Sequence, residues 1–489
     1  MTRLPSIKAS CSRRRISLAR SIIIMLVFLE ISGCGTHILK IDNMHNQPSG
    51  PKEEETRASE NITLNDLTND IFIGIALSGG GSRAANFSSA VLLELDKLGI
   101  LDKATAISSV SGSSLPAAYY GLYPERWNDI DEIRKQMAKD FELRWIGRWL
   151  LPQNILLYWN TNFNRSDLMK EVLDSNLFDK KTFFDMKKGQ PRILINSTKL
   201  SEGKTFVFSK EEFNSLGSRI DTYPIANAVM ASSAFPGAFH DMTLKDYSIS
   251  KEKHYVHVLD GGPSDNLGVT TLLNMVKRLC DAPESRCPKG CFLFVVDSYP
   301  FPKYPKHTHE ADTRSFIDFI FDTNVAAASD SLLTVRRLDL LDMLGIDAKT
   351  PDVEPYKRTT EKIFSDKKNK IDCAVWHLSL QRLFSKGFAS EKIKEDDKLK
   401  GKLRENIDQV ANVVNSIPTR YKLTGRDPNG KVKLNADVLQ DYLFKAADYL
   451  VNFDNDSSGK LIWDQVCEWF QNNNVSGLKC NSNPAQNNK

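Results

Sequence analysis

The stretch IFIGIALSGGGSR, residues 71–83, decides the fold of this 489-residue chain. Its first seven residues are an unbroken apolar run of strand length, which is typical of a strand covered on both faces in an α/β sheet. Three glycines follow, and then a helical pattern through Val91, Leu92 and Leu95 that ends at Gly99. The sequence therefore predicts a strand, a tight glycine turn and a helix, in that order.

Strand patterns alternate with helical patterns over the next two hundred or so residues. Further strands are predicted at 105–110, 192–197, 205–208, 255–259 and 292–296, with helices at 224–234 and 266–279 between them. This alternation predicts an α/β fold with a largely parallel central sheet wrapped by helices. Beyond Pro300, charged helical patterns dominate and no further strong strand is predicted, so residues 301–489 are expected to form a helical C-terminal region.

The N-terminus has the layout of an export signal. Basic residues crowd the first twenty positions, and an apolar run at 22–29 follows them that is too short to span a bilayer. The run ends in Ile31-Ser32-Gly33-Cys34, which resembles the bacterial lipobox, where the cysteine is acylated and becomes the new N-terminus. We therefore expect residues 1–33 to be a lipoprotein signal peptide and Cys34 to carry the lipid. The alternative is an ordinary signal peptide with a chance cysteine.

Residues 34–70 are expected to be a flexible tether, because the polar stretch from Ile41 to about Asp70 cannot bury a face. Gly35 follows the lipidation site, where an acidic residue in lipoproteins tends to hold them in the inner membrane. The expected location is the cell envelope of a Gram-negative bacterium, in the outer membrane and facing the periplasm. A formal net charge of only +4, partly in the signal, gives no support to a nucleic-acid partner.

Six cysteines remain after the signal and the lipidation site: Cys280, Cys287, Cys291, Cys373, Cys467 and Cys480. An even number in an oxidising compartment permits disulfides. The close trio 280–291 could suggest zinc, but no C-x-x-C pair or nearby histidine completes a tetrahedral set. Disulfides are therefore favoured, and the sequence predicts no metal site and no cofactor.

Three separated motifs carry the chemistry. The loop 78–83 could use backbone N–H groups at a helix N-terminus to hold a phosphate or an oxyanion, although it lacks the Walker and dinucleotide spacings and could be a plain turn. In SVSGS, residues 109–113, a strand-to-helix turn could expose Ser111 as a nucleophile, unless this is only a serine-rich loop. In LDGGPSDNLG, residues 259–268, Asp260 ends a predicted strand. Its carboxylate could act as a general base at the edge of the sheet, or it could form the hydrogen bond of an Asx turn.

Together the three motifs resemble the patatin-like phospholipase family, which combines a glycine-rich oxyanion loop with an arginine, a nucleophile elbow and an Asp-Gly-Gly or Asp-Gly-Ala motif. Further matches are residues 196–198 before a hairpin through Gly203, and residues 231–236. The resemblance covers roughly 71–296 and implies an acyl hydrolase domain over residues 71–300. It implies a Ser–Asp dyad without histidine: Ser111 attacks the ester, Asp260 accepts its proton, and an oxyanion hole forms from Gly79, Gly80, Gly81 and Arg83.

This sequence departs from the family at Ser109, where glycine is usual and a side chain is expected to crowd the elbow. A triad would instead need a histidine, and His240 and His257 lie nearest the motifs; both are expected to be ordinary polar residues. The resemblance implies a lipid or phospholipid substrate. Alternatives are a catalytically silent lipid-binding or scaffold lipoprotein on the same fold, and hydrolysis of peptide or thioester bonds by the same nucleophile.

Two segments outside the motifs have open interpretations. Residues 145–159 are rich in aromatic and apolar side chains and could line an acyl-chain cavity, touch a membrane surface or pack as a helical cap. Residues 454–461 copy the first half of an EF-hand calcium loop, but the twelfth position is Gln465, which lacks the bidentate carboxylate. A solvated helix–helix turn is the favoured interpretation.

Overall fold

The computed structural model describes residues 41–480, apart from 42–43, 51–57, 187–188, 190, 250–253, 282–286, 301–322, 351, 353, 359–370, 386–387 and 389–396. The predicted signal peptide and Cys34 lie outside the described residues.

Nine strands form one sheet within the described part of the chain. They are β1 (Ile71–Leu77), β2 (Ala106–Val110), β3 (Arg192–Lys199), β4 (Thr205–Phe208), β5 (Met242–Asp246), β6 (His254–Asp260), β7 (Gly290–Asp297), β8 (Tyr356–Arg358) and β9 (Asp372–Ser379). Their order is β8-β9-β7-β1-β2-β3-β6-β5, and β4 pairs with β3. The five adjacent strands β9, β7, β1, β2 and β3 run parallel to one another, and the strands β8, β6, β5 and β4 pair antiparallel with their neighbours. The predicted α/β fold with a largely parallel sheet is confirmed.

The described helices are α1 (Gly81–Lys97), α2 (Ser114–Leu122), α3 (Ile130–Met137), α4 (Phe141–Trp149), α5 (Pro152–Asn160), α6 (Arg165–Leu173), α7 (Lys210–Ser215), α8 (Ile225–Ser232), α9 (Gly262–Asp265), α10 (Val269–Asp281), α11 (Thr323–Met343), α12 (Asp397–Asn415), α13 (Ala436–Asn452) and α14 (Ile462–Asn472).

Strand β1 lies in the middle of the sheet, between β7 and β2. All seven of its residues are buried, which is why the strand is apolar at every position rather than at alternate ones. Gly74 is required by packing, because a Cβ atom there would lie 2.9 Å from the side chains of Phe72 and Leu272. Leu272 and other apolar residues of α10 pack against one face of the sheet, together with residues of α11. The first motif therefore follows a strand that is buried along its whole length.

The strands that carry the second and third motifs meet end to end beside β3. Strand β2 runs parallel to β3 and ends with Val110 opposite Asn196. Strand β6 runs antiparallel to β3 and ends with Asp260 opposite Ser197, the next residue along. This register brings the ends of β2 and β6 to neighbouring positions, although they are about 150 residues apart in the sequence.

The region beyond Pro300 is mainly helical, as predicted, but it also adds β8 and β9 to the sheet. The expectation of no further strong strand is wrong at β9, which pairs with β7 along its whole length. Asp372 and His377 interrupt the apolar pattern of β9 and hid it from sequence reasoning. His377 is nevertheless buried, because its Nε2 bonds with the carboxylate of Asp297 at 2.9 Å.

The six cysteines that follow Cys34 form three disulfides: Cys280–Cys287, Cys291–Cys373 and Cys467–Cys480. Cys291 and Cys373 lie directly opposite each other on β7 and β9, so this bond joins two neighbouring strands. Within the described residues, no group of three or more histidine, cysteine or acidic side chains could hold a metal ion. The predicted disulfides are confirmed for the trio 280–291, since Cys280 pairs with Cys287 and Cys291 pairs with Cys373.

The aromatic stretch 145–159 divides into two parts. Trp145 of α4 is buried, with 3% of its surface exposed, and its ring lies 5.6 Å from that of Phe239. Residues 149–164 belong to a second compact unit, in which α5 has no buried residue. Leu156 and Trp159 of α5 are exposed, so core packing does not account for this helix. None of the helices in the described ranges is both long enough and apolar enough to cross a bilayer.

The EF-hand-like loop forms a turn between α13 and α14, as favoured, but its first two residues are buried rather than solvated. Asp454 accepts a hydrogen bond from Arg382 Nε at 3.0 Å. One carboxylate oxygen of Asp456 accepts from the backbone N–H of Ser458 and Lys460, and the other accepts from Gln465 Nε2 at 2.8 Å. Gln465 therefore closes the turn through a direct hydrogen bond to Asp456.

Candidate active site

Ser111 stands at the turn between β2 and α2 with a backbone φ of +54°. This left-handed conformation costs a residue other than glycine on the order of 1–3 kcal/mol, and such strain is concentrated at functional sites. A Cβ atom on Gly112 would overlap the carbonyl oxygen of Gly81, so only glycine lets the elbow touch the glycine-rich loop. Ser111 is 8% exposed. The predicted nucleophile thus has the strained, tightly packed backbone of a nucleophile elbow.

Asp260 accepts a hydrogen bond from the Ser111 hydroxyl at its Oδ2, over 2.8 Å. Its Oδ1 accepts from the backbone N–H of Gly262, also at 2.8 Å. Both oxygens are therefore fixed, and the carboxyl group is almost fully buried. Burial raises the pKa of Asp260 to about 6, against the smaller opposite effects of the hydrogen bonds from Gly262 and Ser111. A carboxylate with this pKa is a stronger base than a solvated aspartate and is still mostly ionised at neutral pH.

Some backbone N–H groups of the glycine-rich loop are hydrogen-bonded within the fold, and others have no bonded acceptor in the described part of the chain. Gly79 N–H donates to the carbonyl of Asn266 at 3.0 Å, and Ser82 N–H donates to the carbonyl of Arg420 at 2.6 Å. Among the described residues, no acceptor is bonded to the N–H groups of Gly80 and Gly81. These two residues have φ values of +141° and +60°, which favour glycine. Of the predicted oxyanion residues, Gly80 and Gly81 therefore keep donors for a ligand at the N-terminus of α1.

Arg83 links the loop to other segments of the chain through hydrogen bonds. Its Nε donates to the carbonyl of Ser298 at 2.8 Å, and its two terminal nitrogens donate to the carbonyl of Ile417 and to the Thr419 hydroxyl. The guanidinium is buried and is directed at these carbonyl and hydroxyl groups. The structure thus places Arg83 as a residue that joins the oxyanion loop to the segments around residues 298 and 417.

Ser109, the departure from the family pattern, is fully buried and hydrogen-bonded. Its hydroxyl bonds to Ser114 Oγ and to the carbonyl of Leu194, both at 3.2 Å. Asn196 Nδ2 donates to the Ser109 carbonyl at 2.9 Å. The side chain therefore ties β2 to α2 and β3, and its polar group has partners where an unpaired one would be costly.

Ser232, at the end of α8, holds the nucleophile from the other side. Its Oγ accepts the backbone N–H of Ser111 at 2.9 Å and donates to the carbonyl of Asn196 at 2.6 Å. In the sequence, Ser232 is marked only as one residue of the segment 231–236 that resembles the family. Its role depends on a contact 121 residues away, which no local pattern indicates.

The histidines near the motifs do not bond to either dyad residue. His257 Nδ1 contacts Asp241 at 2.7 Å on the surface. The carbonyl of His240 accepts from Ser166, and burial lowers the pKa of its ring. All the described hydrogen bonds of Ser111 and Asp260 lead to each other, to the side chains of Ser232 and Thr198, or to backbone groups. Within the residues that the structure describes, the arrangement is a buried Ser–Asp pair with no hydrogen bond to a histidine.

Residues 75–273 match the family model for Patatin, patatin-like phospholipase. This range begins in β1, ends in α10 and includes both Ser111 and Asp260. No curated protein matches the chain.

Several solved structures are similar to the chain, and the chain covers less than two thirds of the length of each of the following three. Human GIVD cytosolic phospholipase A2 has 15% identity, with 80% of this chain and 59% of that chain covered and a TM-score of 0.42. Its complex with methyl gamma-linolenyl fluorophosphonate has 15% identity, coverage of 78% and 57%, and a TM-score of 0.40. VipD from Legionella pneumophila has 14% identity, coverage of 54% and 55%, and a TM-score of 0.22.

Proposed function

We propose, for a chain whose residues 75–273 carry a patatin-like phospholipase domain, that the protein is a serine acyl hydrolase that cleaves carboxylic esters of lipids by a Ser111–Asp260 dyad. The observation that supports this most directly is the 2.8 Å hydrogen bond from Ser111 Oγ to Asp260 Oδ2. The Patatin match implies lipid acyl hydrolysis, and phospholipid is the proposed substrate.

In the proposed reaction, Ser111 Oγ attacks the ester carbonyl carbon while its proton passes to Asp260 Oδ2. The carbonyl oxygen becomes an oxyanion, which accepts hydrogen bonds from the N–H groups of Gly80 and Gly81. When the C–O bond to the leaving alcohol breaks, Asp260 returns the proton to that alcohol. A water molecule then attacks the acyl-serine ester, Asp260 accepts its proton, and the free fatty acid leaves as Ser111 regains a proton.

The hydrogen bonds of Ser109 bear on the alternative of a catalytically silent lipoprotein. That alternative depended on the Ser109 side chain crowding the elbow, but its hydroxyl bonds to Ser114 and Leu194 and makes no bond to Ser111. The same nucleophile could act on peptide or thioester bonds, and a lipid ester is favoured here because of the Patatin match.

Labelling with a fluorophosphonate probe tests the proposed nucleophile directly. We expect the wild type to be labelled at Ser111 and the Ser111→Ala variant to remain unlabelled. Ser215→Ala is a matched control, since Ser215 is an exposed serine on α7 that bonds only within its own helix. An unlabelled wild type would instead support the silent-scaffold alternative. Label on another serine would show that this other residue, and not Ser111, is the nucleophile.

We further propose that the mature protein is anchored through lipidated Cys34 in the outer membrane of a Gram-negative bacterium, facing the periplasm. The basic start, the short apolar run and the Ile31-Ser32-Gly33-Cys34 ending support this. The three disulfides fit an oxidising compartment. The anchor would keep the hydrolase next to its lipid substrate.

A further inference from the structure

A segment far outside the Patatin match, residues 417–422, lies against the glycine-rich loop; we call this segment the strap. The carbonyl of Arg420 accepts the Ser82 N–H at 2.6 Å. A Cβ atom on Gly81 would overlap the backbone of Arg420, so the strap and the loop are in direct contact. The strap thus fills the space beside Gly81, one of the two glycines whose N–H groups are proposed to hold the oxyanion.

Arg83 fastens the first half of the strap. Its guanidinium donates to the carbonyl of Ile417 and to Thr419 Oγ1, while its Nε holds the carbonyl of Ser298. A planar group with several donors can join three segments in this way, because each N–H points in a fixed direction. The strap is therefore attached to the oxyanion loop by both a backbone bond and a buried side chain.

Tyr421 links the second half of the strap to Ser233 and Phe239. Its hydroxyl donates to the carbonyl of Ser233, and its ring packs edge-on against Phe239 with centroids 5.0 Å apart. Burial, and to a lesser extent the charge of Asp260, raises the pKa of Tyr421, so its hydroxyl stays protonated and remains a donor. Lys422 forms an ion pair with Asp140 at 2.6 Å and anchors the end of the strap.

Ser233 is the middle residue of a short segment, 232–234, that holds both members of the dyad. Ser232 Oγ accepts the N–H of Ser111 at 2.9 Å. The carbonyl of Ala234 accepts the N–H of Asp260 at 3.1 Å, and the carbonyl of Ser232 accepts the N–H of Gly261 at 3.2 Å. Any shift of this segment would therefore change the positions of the nucleophile and the base together.

We propose that the strap is part of the active site and that Tyr421 is a positioning residue for the Ser111–Asp260 dyad, acting through the carbonyl of Ser233. This inference rests on the proposed function and extends it to a residue beyond the matched domain. Proton transfer requires the reacting groups in near-attack geometry, and a misplacement of about 1 Å can lower a rate by on the order of 100-fold. The hydroxyl of Tyr421 bonds to the carbonyl of Ser233, which also accepts the N–H of Phe235 at 2.8 Å and lies between the carbonyls that hold Gly261 and Asp260.

The test compares Tyr421→Phe with Tyr442→Phe. The first change removes the hydroxyl and keeps the ring on Phe239. The second makes the same chemical change on α13, where Lys445 Nζ lies 5.6 Å from the Tyr442 ring and the Tyr442 hydroxyl has no hydrogen-bond partner among the described residues. We expect Tyr421→Phe to lower kcat for an ester, and the rate of fluorophosphonate labelling at Ser111, by about tenfold with KM little changed, since the lost contact serves geometry rather than binding. Tyr442→Phe should match the wild type.

Hydrogen exchange gives a readout that does not depend on activity. In Tyr421→Phe, the amides of Ser111, Asp260 and Gly261 should exchange faster than in Tyr442→Phe, while the β1 and β7 amides stay unchanged. Exchange and labelling equal to the control would overturn the positioning role. Faster labelling in Tyr421→Phe would also overturn it, and would show that the strap restricts access to Ser111. A wild type that is never labelled would contradict the proposed function, and the exchange comparison would still decide the role of Tyr421.

Discussion

The hydroxyl of Ser111 donates to Oδ2 of Asp260 at 2.8 Å across a separation of 149 residues. The contact exists because β2 and β6 approach each other along β3 from opposite directions and end at Asn196 and Ser197. Gly261 lets the two ends come close, since a Cβ atom there would lie 2.5 Å from the Asn196 carbonyl oxygen. A dyad built on strand ends is held more rigidly than one built on loops.

Activity should rise with pH as Asp260 ionises. The pKa of Asp260 is raised to about 6, so the carboxylate is largely protonated at pH 5 and largely available as a base at pH 7. We expect kcat/KM for a soluble ester to rise about tenfold per pH unit below pH 6 and to level off above it. A pH profile that stays flat between pH 5 and 8 would count against Asp260 as the base.

The Asp260→Asn variant should be more stable than the wild type at pH 8. A raised pKa means that the folded state favours the neutral carboxyl, so ionisation at high pH lowers the free energy of unfolding. A shift of about two units corresponds to at most about 3 kcal/mol, and the gain should shrink towards pH 4. Urea unfolding at both pH values measures it; equal or lower stability of the variant at pH 8 would contradict the burial argument.

The Ser109→Gly variant, which restores the usual family residue, should not increase activity. The Ser109 hydroxyl is bonded to Ser114 and to the Leu194 carbonyl, so its loss should lower the free energy of unfolding by about 1–2 kcal/mol. Thermal unfolding and ester turnover measure the two effects, with Ser109→Ala as the control for backbone flexibility. A clear gain in turnover for glycine alone would show that the side chain does crowd the elbow.

The Cys34→Ser variant should lose membrane association and retain its signal segment. The expectation follows from the basic start, the short apolar run and Ile31-Ser32-Gly33-Cys34. Cell fractionation and mass spectrometry of the mature N-terminus check it. A wild type found soluble in the periplasm, with no lipid on Cys34, would exclude the proposed anchor.

The sequence predicted the parts of the site that depend on local patterns. Each of the three motifs joins an apolar strand to glycine or serine, and such junctions are readable because strand period and turn chemistry are local. The α/β fold followed from their alternation with helices. The register that brings Ser111 to Asp260 could only be expected from the family resemblance.

The parts that were not predicted depend on long-range or backbone contacts. Strand β9 escaped because Asp372 and His377 are polar, and the partner that permits His377 to be buried is Asp297 on another strand. The strap was not predicted because it contacts the oxyanion loop through the backbone carbonyls of Ile417 and Arg420. Every residue has a backbone carbonyl, so the sequence does not distinguish these two. No side-chain pattern in the sequence reports a contact of this kind.

The most direct measurement of the central claim is a double-mutant comparison of ester hydrolysis for Ser111→Ala, Asp260→Asn and the two combined. Asp260→Asn keeps the shape of the side chain and removes only the base, since an amide can still accept from Gly262 and contact Ser111. If the two residues act as one unit, each single variant should lose nearly all turnover and the double variant little more. His257→Ala should keep most of it, because His257 bonds with Asp241 and makes no described hydrogen bond to the dyad. Substantial hydrolysis by Asp260→Asn would show that another group activates Ser111 and would contradict the dyad.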